Sequence, residues 1–253
     1  MKYYLIIVLN VLLLSQNLRG ENSAVTLEEI AQETLDHISH LDLRTSNSVH
    51  NTEFDIDISK LLIMRLFYTY WCFDRFSNYE INDSDALTLC QIQIGSLLSH
   101  YLGVAQCTEY RDHALLYIAR NYPSIKTAFC TLKSQLTHYT FDHTFLRISD
   151  TENHSIYIDP WLPFYGASWA DLFLKLKEVG FYLGRSRVNV VCQDILFDLN
   201  SLLKDIDKSQ IIESWDLFEK TFSYEIEVGL KIETHGQRNK KYRVPLYSRP
   251  TLQ

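Results

Sequence analysis

Glycine and proline are scarce, with 8 and 5 residues in a chain of 253. No Pro/Gly/Ser-rich linker interrupts the sequence, nothing repeats and nothing is low in complexity. These absences exclude a string of small modules and favour one globular unit. Basic residues are in the minority, 24 Lys and Arg against 31 Asp and Glu, for a net charge of −7. No arginine-rich stripe exists, and the one basic cluster, "GQRNKKYR" (Gly236 to Arg243), has the length of a solvated turn between strands. Nucleic acid is therefore not an expected partner. The five cysteines show neither CxxC nor CxxC…HxxxH spacing, and no DxDxDG loop is present. Neither a structural zinc site nor a calcium loop is expected. An odd cysteine count leaves at least one thiol outside any intramolecular disulfide, and the remaining four are too sparse to replace a hydrophobic core.

Long hydrophobic runs are also missing after the first residues. The N-terminus, "MKYYLIIVLNVLLLSQNLRGENS", places Lys2 before a twelve-residue apolar stretch, Tyr3 to Leu14, and a polar exit to Gly20. Twelve residues are too few to span a bilayer, so residues 1–20 read as a cleavable secretory leader and residues 21–253 as a single domain. Loss of that leader removes Lys2 and Arg19 and takes the net charge from −7 to −9. Elsewhere no apolar run reaches membrane-spanning length, and no stable membrane insertion is expected once the leader is gone.

What is present is a core-forming composition, 46% hydrophobic and 13% aromatic. "TLEEIAQETLDHISHL" (Thr26 to Leu41) carries a capping box, Thr26 and Glu29, ahead of the stripe Leu27, Ile30, Ala31, Leu35 and Ile38, which predicts an amphipathic helix. "DISKLLIMRLFYTYWCFDRF" (Asp57 to Phe76) lacks Gly and Pro and reads as a buried helix. "DSDALTLCQIQIGSLLSHYLG" (Asp83 to Gly103) has helix punctuation at both ends, and "AQCTEYRDHALLYIAR" (Ala105 to Arg120) continues the helical pattern. After Tyr122-Pro123 the period changes to two. "IKTAFCTL", "HTFLRIS" and "SIYIDPW" predict strands, and "SWADLFLKLKEVG" a further capped helix. "NVVCQDILFDLNSLLKDI" and "SQIIESWDLFEKTF" are expected to be helical, with "YEIEVGLKIETH" and "KKYRVPLY" forming a terminal hairpin. Helices followed by an antiparallel sheet with helices on it is an α+β order.

Three residues carry chemistry. Cys107 falls where a helix should begin, and a thiol there meets the positive end of the helix dipole and unpaired amides, which favour thiolate and can hold an oxyanion beside the sulfur. Glu109, two residues on, is expected to face elsewhere, whereas Arg111 at i+4 shares the face of Cys107. Downstream, a three-residue turn between Ser149 and Asn153 would place His143 directly opposite Asp159, within carboxylate–imidazole reach. Pro160 restrains Asp159 to an extended backbone, and Trp161 is a bulky anchor beyond it. A cysteine nucleophile, a histidine base and an orienting carboxylate are the roles that acyl transfer requires. Gln91, Gln93 and Gln106 are open candidates for an oxyanion side chain.

"GVAQCTEYRDHALLYIA", "DHTFLRI" and "IYIDPW" resemble the three blocks of the papain-like/transglutaminase-like cysteine superfamily. Within it, the resemblance is to the bacterial toxin and effector protein-glutamine deamidases, a branch that includes the catalytic domain of the Pasteurella dermonecrotic toxin. It extends over roughly Leu102 to Trp161. The position two before the cysteine is Ala105 where those blocks have glycine, with Gly103 two places earlier. The resemblance implies a papain-like core, Cys107 as nucleophile, His143 as general base and acid, and Asp159 as its orienter. It further implies a secreted protein-glutamine deamidase acting without a cofactor on a protein substrate, such as a host protein reached by delivery into another cell. A cysteine protease, a transglutaminase, or an inactive binding scaffold on the same frame are the alternatives.

Overall fold

The computed structural model describes residues 25–45, 54–76, 84–134, 140–178, 188–196 and 207–234. The leader, the basic cluster and "KKYRVPLY" lie outside them. The chain divides into two compact units, residues 1–206 and 207–253. The first is a mixed α+β unit of five helices and an antiparallel five-stranded sheet, plus a short parallel pair of strands, among the described residues.

Helix α1 (Leu27–Ser39) starts where the capping box requires. The Thr26 amide donates to Glu29 at 2.8 Å and the Glu29 amide donates to the Thr26 hydroxyl at 3.2 Å, so two otherwise orphaned N–H groups are satisfied reciprocally. Its expected stripe is buried. Strand β1 (Arg44–Thr45) leads to the long helix α2 (Phe54–Phe76), which a disulfide, Cys72–Cys90, joins to helix α3 (Ser84–Leu102). Gly103 ends α3 with φ of +65°, a left-handed conformation that costs a side chain heavily and glycine little. The turn allows strand β2 (Val104–Ala105) to pair in parallel with β1, Arg44 beside Val104 and Thr45 beside Ala105. Ala105 is extended and buried there, so that position has no need of a glycine. Helix α4 (Cys107–Asn121) follows at once.

The large sheet has the order β6-β5-β4-β3-β7, built from β3 (Lys126–Ser134), β4 (Thr140–Ser149), β5 (Ser155–Asp159), β6 (Phe164–Gly166) and β7 (Val188–Asp194). Alternation along the strands sends side chains to two cores. Leu146, Ile148, Ile156 and Ile158 pack with Ile30, Leu35, Leu115 and Ile118 of α1 and α4. Cys130, Leu132, Phe145 and Val188 pack with Leu172 and Leu176 of helix α5 (Trp169–Glu178). Each fully buried aliphatic or aromatic side chain contributes about 1.5–3 kcal/mol, so covering both faces makes this sheet the rigid centre of the unit. A second disulfide, Cys130–Cys192, cross-links β3 to β7.

The second unit begins with helix α6 (Lys208–Thr234), whose first turn is capped by Asp207 accepting from the Ser209 amide at 2.9 Å.

Three expectations are corrected. The segment "NVVCQD" is strand β7 and not the start of a helix, because Val188, Val190 and Cys192 alternate inward with exposed Asn189, Val191 and Gln193. "YEIEVGLKIET" continues α6 and is not a hairpin strand, since no Pro or turn pair stops a helix that already runs through Phe222. The β4–β5 turn has five residues between the Ser149–Ser155 pair, two more than expected, and this moves the register by two.

Replacing Gly103 by Ala meets no steric neighbour, so its cost is the left-handed backbone alone. We expect a loss of about 1–2 kcal/mol, read by calorimetry as a melting temperature lower by roughly 2–8 °C. An unchanged melting temperature would mean that this turn does not hold the chain as described.

Candidate active site

Cys107 is the first residue of α4, placed by the Gly103 turn and the β2 pairing immediately before it. It is the cysteine outside both disulfides, and it is 4% exposed. As the first helical residue it lies at the positive end of the dipole, in the turn whose N–H groups have no intrahelical acceptor.

His143 on β4 and Asp159 at the end of β5 are 2% and 0% exposed. The corrected register sets Phe145 across from Asp159 and leaves His143 diagonal to it. A shift of two residues preserves the face, because strand side chains alternate with period two. The diagonal still lies within reach of these side chains, and His143 Nε2 donates to Asp159 Oδ2 at 2.6 Å. The other carboxylate oxygen, Oδ1, accepts the backbone N–H of Trp161 at 3.1 Å and of Leu162 at 3.2 Å. Pro160 has no N–H to compete, and the turn after it locks the carboxylate in one orientation. The Trp161 ring stands edge-on to the imidazole at 5.4 Å between centroids, and Phe145 lies at 6.0 Å.

Burial alone would lower the pKa of His143. The charge and hydrogen bond of Asp159, joined by a hydrogen bond and the charge of Cys107, reverse that and raise it to about 10. With Nε2 held by Asp159, Nδ1 is the nitrogen left to face the sulfur. The structure thus brings together all three residues singled out in the sequence, in the order thiol, imidazole, carboxylate.

One charged neighbour, Glu109, differs from expectation, and a second, Arg111, is engaged by other partners. Glu109 does not face away: its carboxylate turns back to accept the Gln106 amide at 3.0 Å, completing a capping box around Cys107. Arg65 of α2 holds it bidentately, Nε to Oε1 at 2.8 Å and Nη2 to Oε2 at 2.7 Å. The Gln-x-x-Glu spacing around the cysteine was a signal for the Glu109 contact, whereas the Arg65 partner, 44 residues earlier in sequence, left none. Arg111 is committed to Asp112 at 2.5 Å, to the Thr144 hydroxyl at 3.0 Å and to the face of Phe129 at 4.2 Å. Of the glutamines, Gln106 is the N-cap of α4, whereas Gln91 and Gln93 lie on α3, with Gln93 buried.

Among the described residues no group of His, Cys, Asp and Glu is arranged to hold a metal ion, and no helix is long and apolar enough to cross a membrane. Compared with known proteins, the chain matches no family model and no curated sequence.

The raised pKa of His143 has a sign that can be checked. Its folded value of about 10 exceeds the ordinary 6.5, so the stabilisation it brings is full below pH 6.5 and is lost as pH climbs through about 10. The stability difference between wild type and Asp159→Asn, measured by urea denaturation, should shrink between pH 7 and pH 10.5. A difference constant over that range would show that the imidazole is not held protonated by Asp159.

Proposed function

We propose that Cys107, His143 and Asp159 are the triad of a cysteine-dependent acyl-transfer enzyme with a papain-like/transglutaminase-like core, acting on amides of proteins. The observation that carries this reading is the buried Nε2–Oδ2 hydrogen bond of 2.6 Å with Cys107 acting on the same imidazole. A histidine oriented on one side by a locked carboxylate and facing a helix-start thiol on the other has the groups that a thiolate–imidazolium pair requires.

In the first half-reaction the thiolate of Cys107 attacks the carbonyl carbon of a carboxamide. The oxyanion that forms faces the N–H groups of the first turn of α4, which have no intrahelical acceptor. The C–N bond breaks, ammonia leaves with the proton of His143, and a thioester remains on Cys107. In the second half-reaction His143 takes a proton from water, the hydroxide adds to the thioester, and collapse releases a carboxylate and the thiol. The net change is glutamine to glutamate plus ammonia.

The resemblance of the three sequence blocks to protein-glutamine deamidases is what favours a side-chain amide over a backbone amide. Protein-glutamine deamidation is therefore our reading, with the same triad performing proteolysis or transamidation if the acyl donor or acceptor differs. Two disulfides support an oxidising destination and hence export of a secreted effector or toxin, in line with the leader-like N-terminus.

Intact-mass analysis of candidate protein substrates tests the reaction. Deamidation adds about 1 Da per site, transamidation adds the amine, and proteolysis yields fragments, since each partition of the thioester leaves a different product. Cys107→Ser should abolish the change while the fold persists, because a hydroxyl lacks thiolate character. His143→Ala should cost more than Asp159→Asn, for which we expect roughly a 10- to 1000-fold loss. Combining the two should add little, since members of one catalytic unit do not act independently. Full activity in folded Cys107→Ser would sink the proposal.

A further inference from the structure

The buried charges on the first two turns of α4 raise a problem for a nucleophile there. Glu109 is 1% exposed and its carboxylate is bonded to the amide of the residue before Cys107, where an uncompensated negative charge would disfavour a second one. Yet the same carboxylate ties down the helix start, through the Gln106 amide at 3.0 Å. Arg65 resolves the conflict. Its guanidinium binds both oxygens of Glu109, at 2.8 and 2.7 Å, and leaves the pair with no net charge. Arg65 comes from α2, so the contact also fixes the cysteine-bearing turn against a helix that the Cys72–Cys90 disulfide holds to α3.

The remaining ionisable groups around this turn are consistent with a balanced cluster. Tyr68 on α2 lies one turn from Arg65, and its pKa is raised first by burial and then by the charge of Glu109. Asp112 is raised to about 6 by burial, against the lowering by Arg111. Arg65 is kept charged, against the opposing effect of burial, by Glu109 first and by Cys107 last. From the sheet, His143 is the facing group.

We infer that Arg65 and Glu109 are positioning residues for Cys107: Glu109 fixes the helix start that presents the sulfur, and Arg65 cancels the charge that Glu109 would otherwise impose on the thiolate. The inference rests on the proposed role of Cys107 as nucleophile. It distinguishes the pair from a structural ion pair, which would hold the helix without affecting the ionisation of the sulfur.

The test is the rate of Cys107 carboxamidomethylation by iodoacetamide as a function of pH, with melting temperature followed in parallel, for wild type, Arg65→Met, Glu109→Gln and the double variant. Arg65→Met leaves a bare carboxylate beside the sulfur. Its profile should move to higher pH by at least one unit, a loss of about tenfold in rate at pH 6. Adding Glu109→Gln removes that carboxylate and should return the rate to within about threefold of wild type, even though the melting temperature stays low, because the opposing charge is gone. Arg65→Lys keeps the charge but not the fork, so its profile should stay near that of wild type while stability falls; this variant decides the matter if Arg65→Met does not fold. Overlapping profiles for wild type and Arg65→Met, a double variant as slow as the single, or an Arg65→Lys profile shifted to higher pH by a full unit would each overturn the inference. A wild-type protein that reacts no faster than glutathione at pH 6 would instead remove the nucleophile reading on which it rests.

Discussion

The hydrogen bond between His143 and Asp159 is the interaction on which the rest of the candidate site depends. An imidazole and a carboxylate, both removed from water, would each carry a large desolvation cost alone. Together they are complementary, and the carboxylate spends its second oxygen on two backbone amides of the turn that follows β5. The pair therefore sets the direction of the imidazole, its protonation and the path of the chain beyond Asp159. The two packed faces of the sheet keep β4 and β5 from shifting relative to each other. Without that rigidity a diagonal pair would not hold 2.6 Å.

The other half of the site is made by local backbone chemistry. Gly103 takes the left-handed turn, β2 makes a two-residue parallel pairing with β1, and α4 opens on Cys107. This sequence of turn, short strand and helix leaves little freedom in where the sulfur sits. It also explains why Ala105 is acceptable at a position where the resembling blocks carry glycine: the residue that needs positive φ is Gly103, two places earlier.

Much of this was legible in the residues, for identifiable reasons. The capping box of α1, the glycine after α3 and the period-two runs of β3 to β5 are local signals, and each sits where its pattern placed it. Errors arose where local pattern was ambiguous. In "NVVCQD" a valine-rich alternation abuts a helix-like stretch, and only pairing with β3 and the Cys130–Cys192 link decide for strand. "YEIEVGLKIET" alternates apolar and charged residues, yet it follows an uninterrupted helix. The register of β4 and β5 depends on a turn length that no residue dictates, but the parity of the strands preserved the His143–Asp159 pairing through a two-residue error. Arg65 was not legible as part of the site because its partner lies 44 residues away in sequence.

The central claim is that a buried carboxylate, an imidazole and a helix-start thiol act as one unit. Its most direct test is to treat the folded protein at pH 6 with one equivalent of iodoacetamide and to map the label. An ordinary thiol is almost wholly protonated at that pH, so glutathione sets the baseline. The account predicts labelling of Cys107 at least about tenfold faster than glutathione, and loss of that advantage in His143→Ala. Labelling at the glutathione rate, or equal labelling with and without His143, would contradict it.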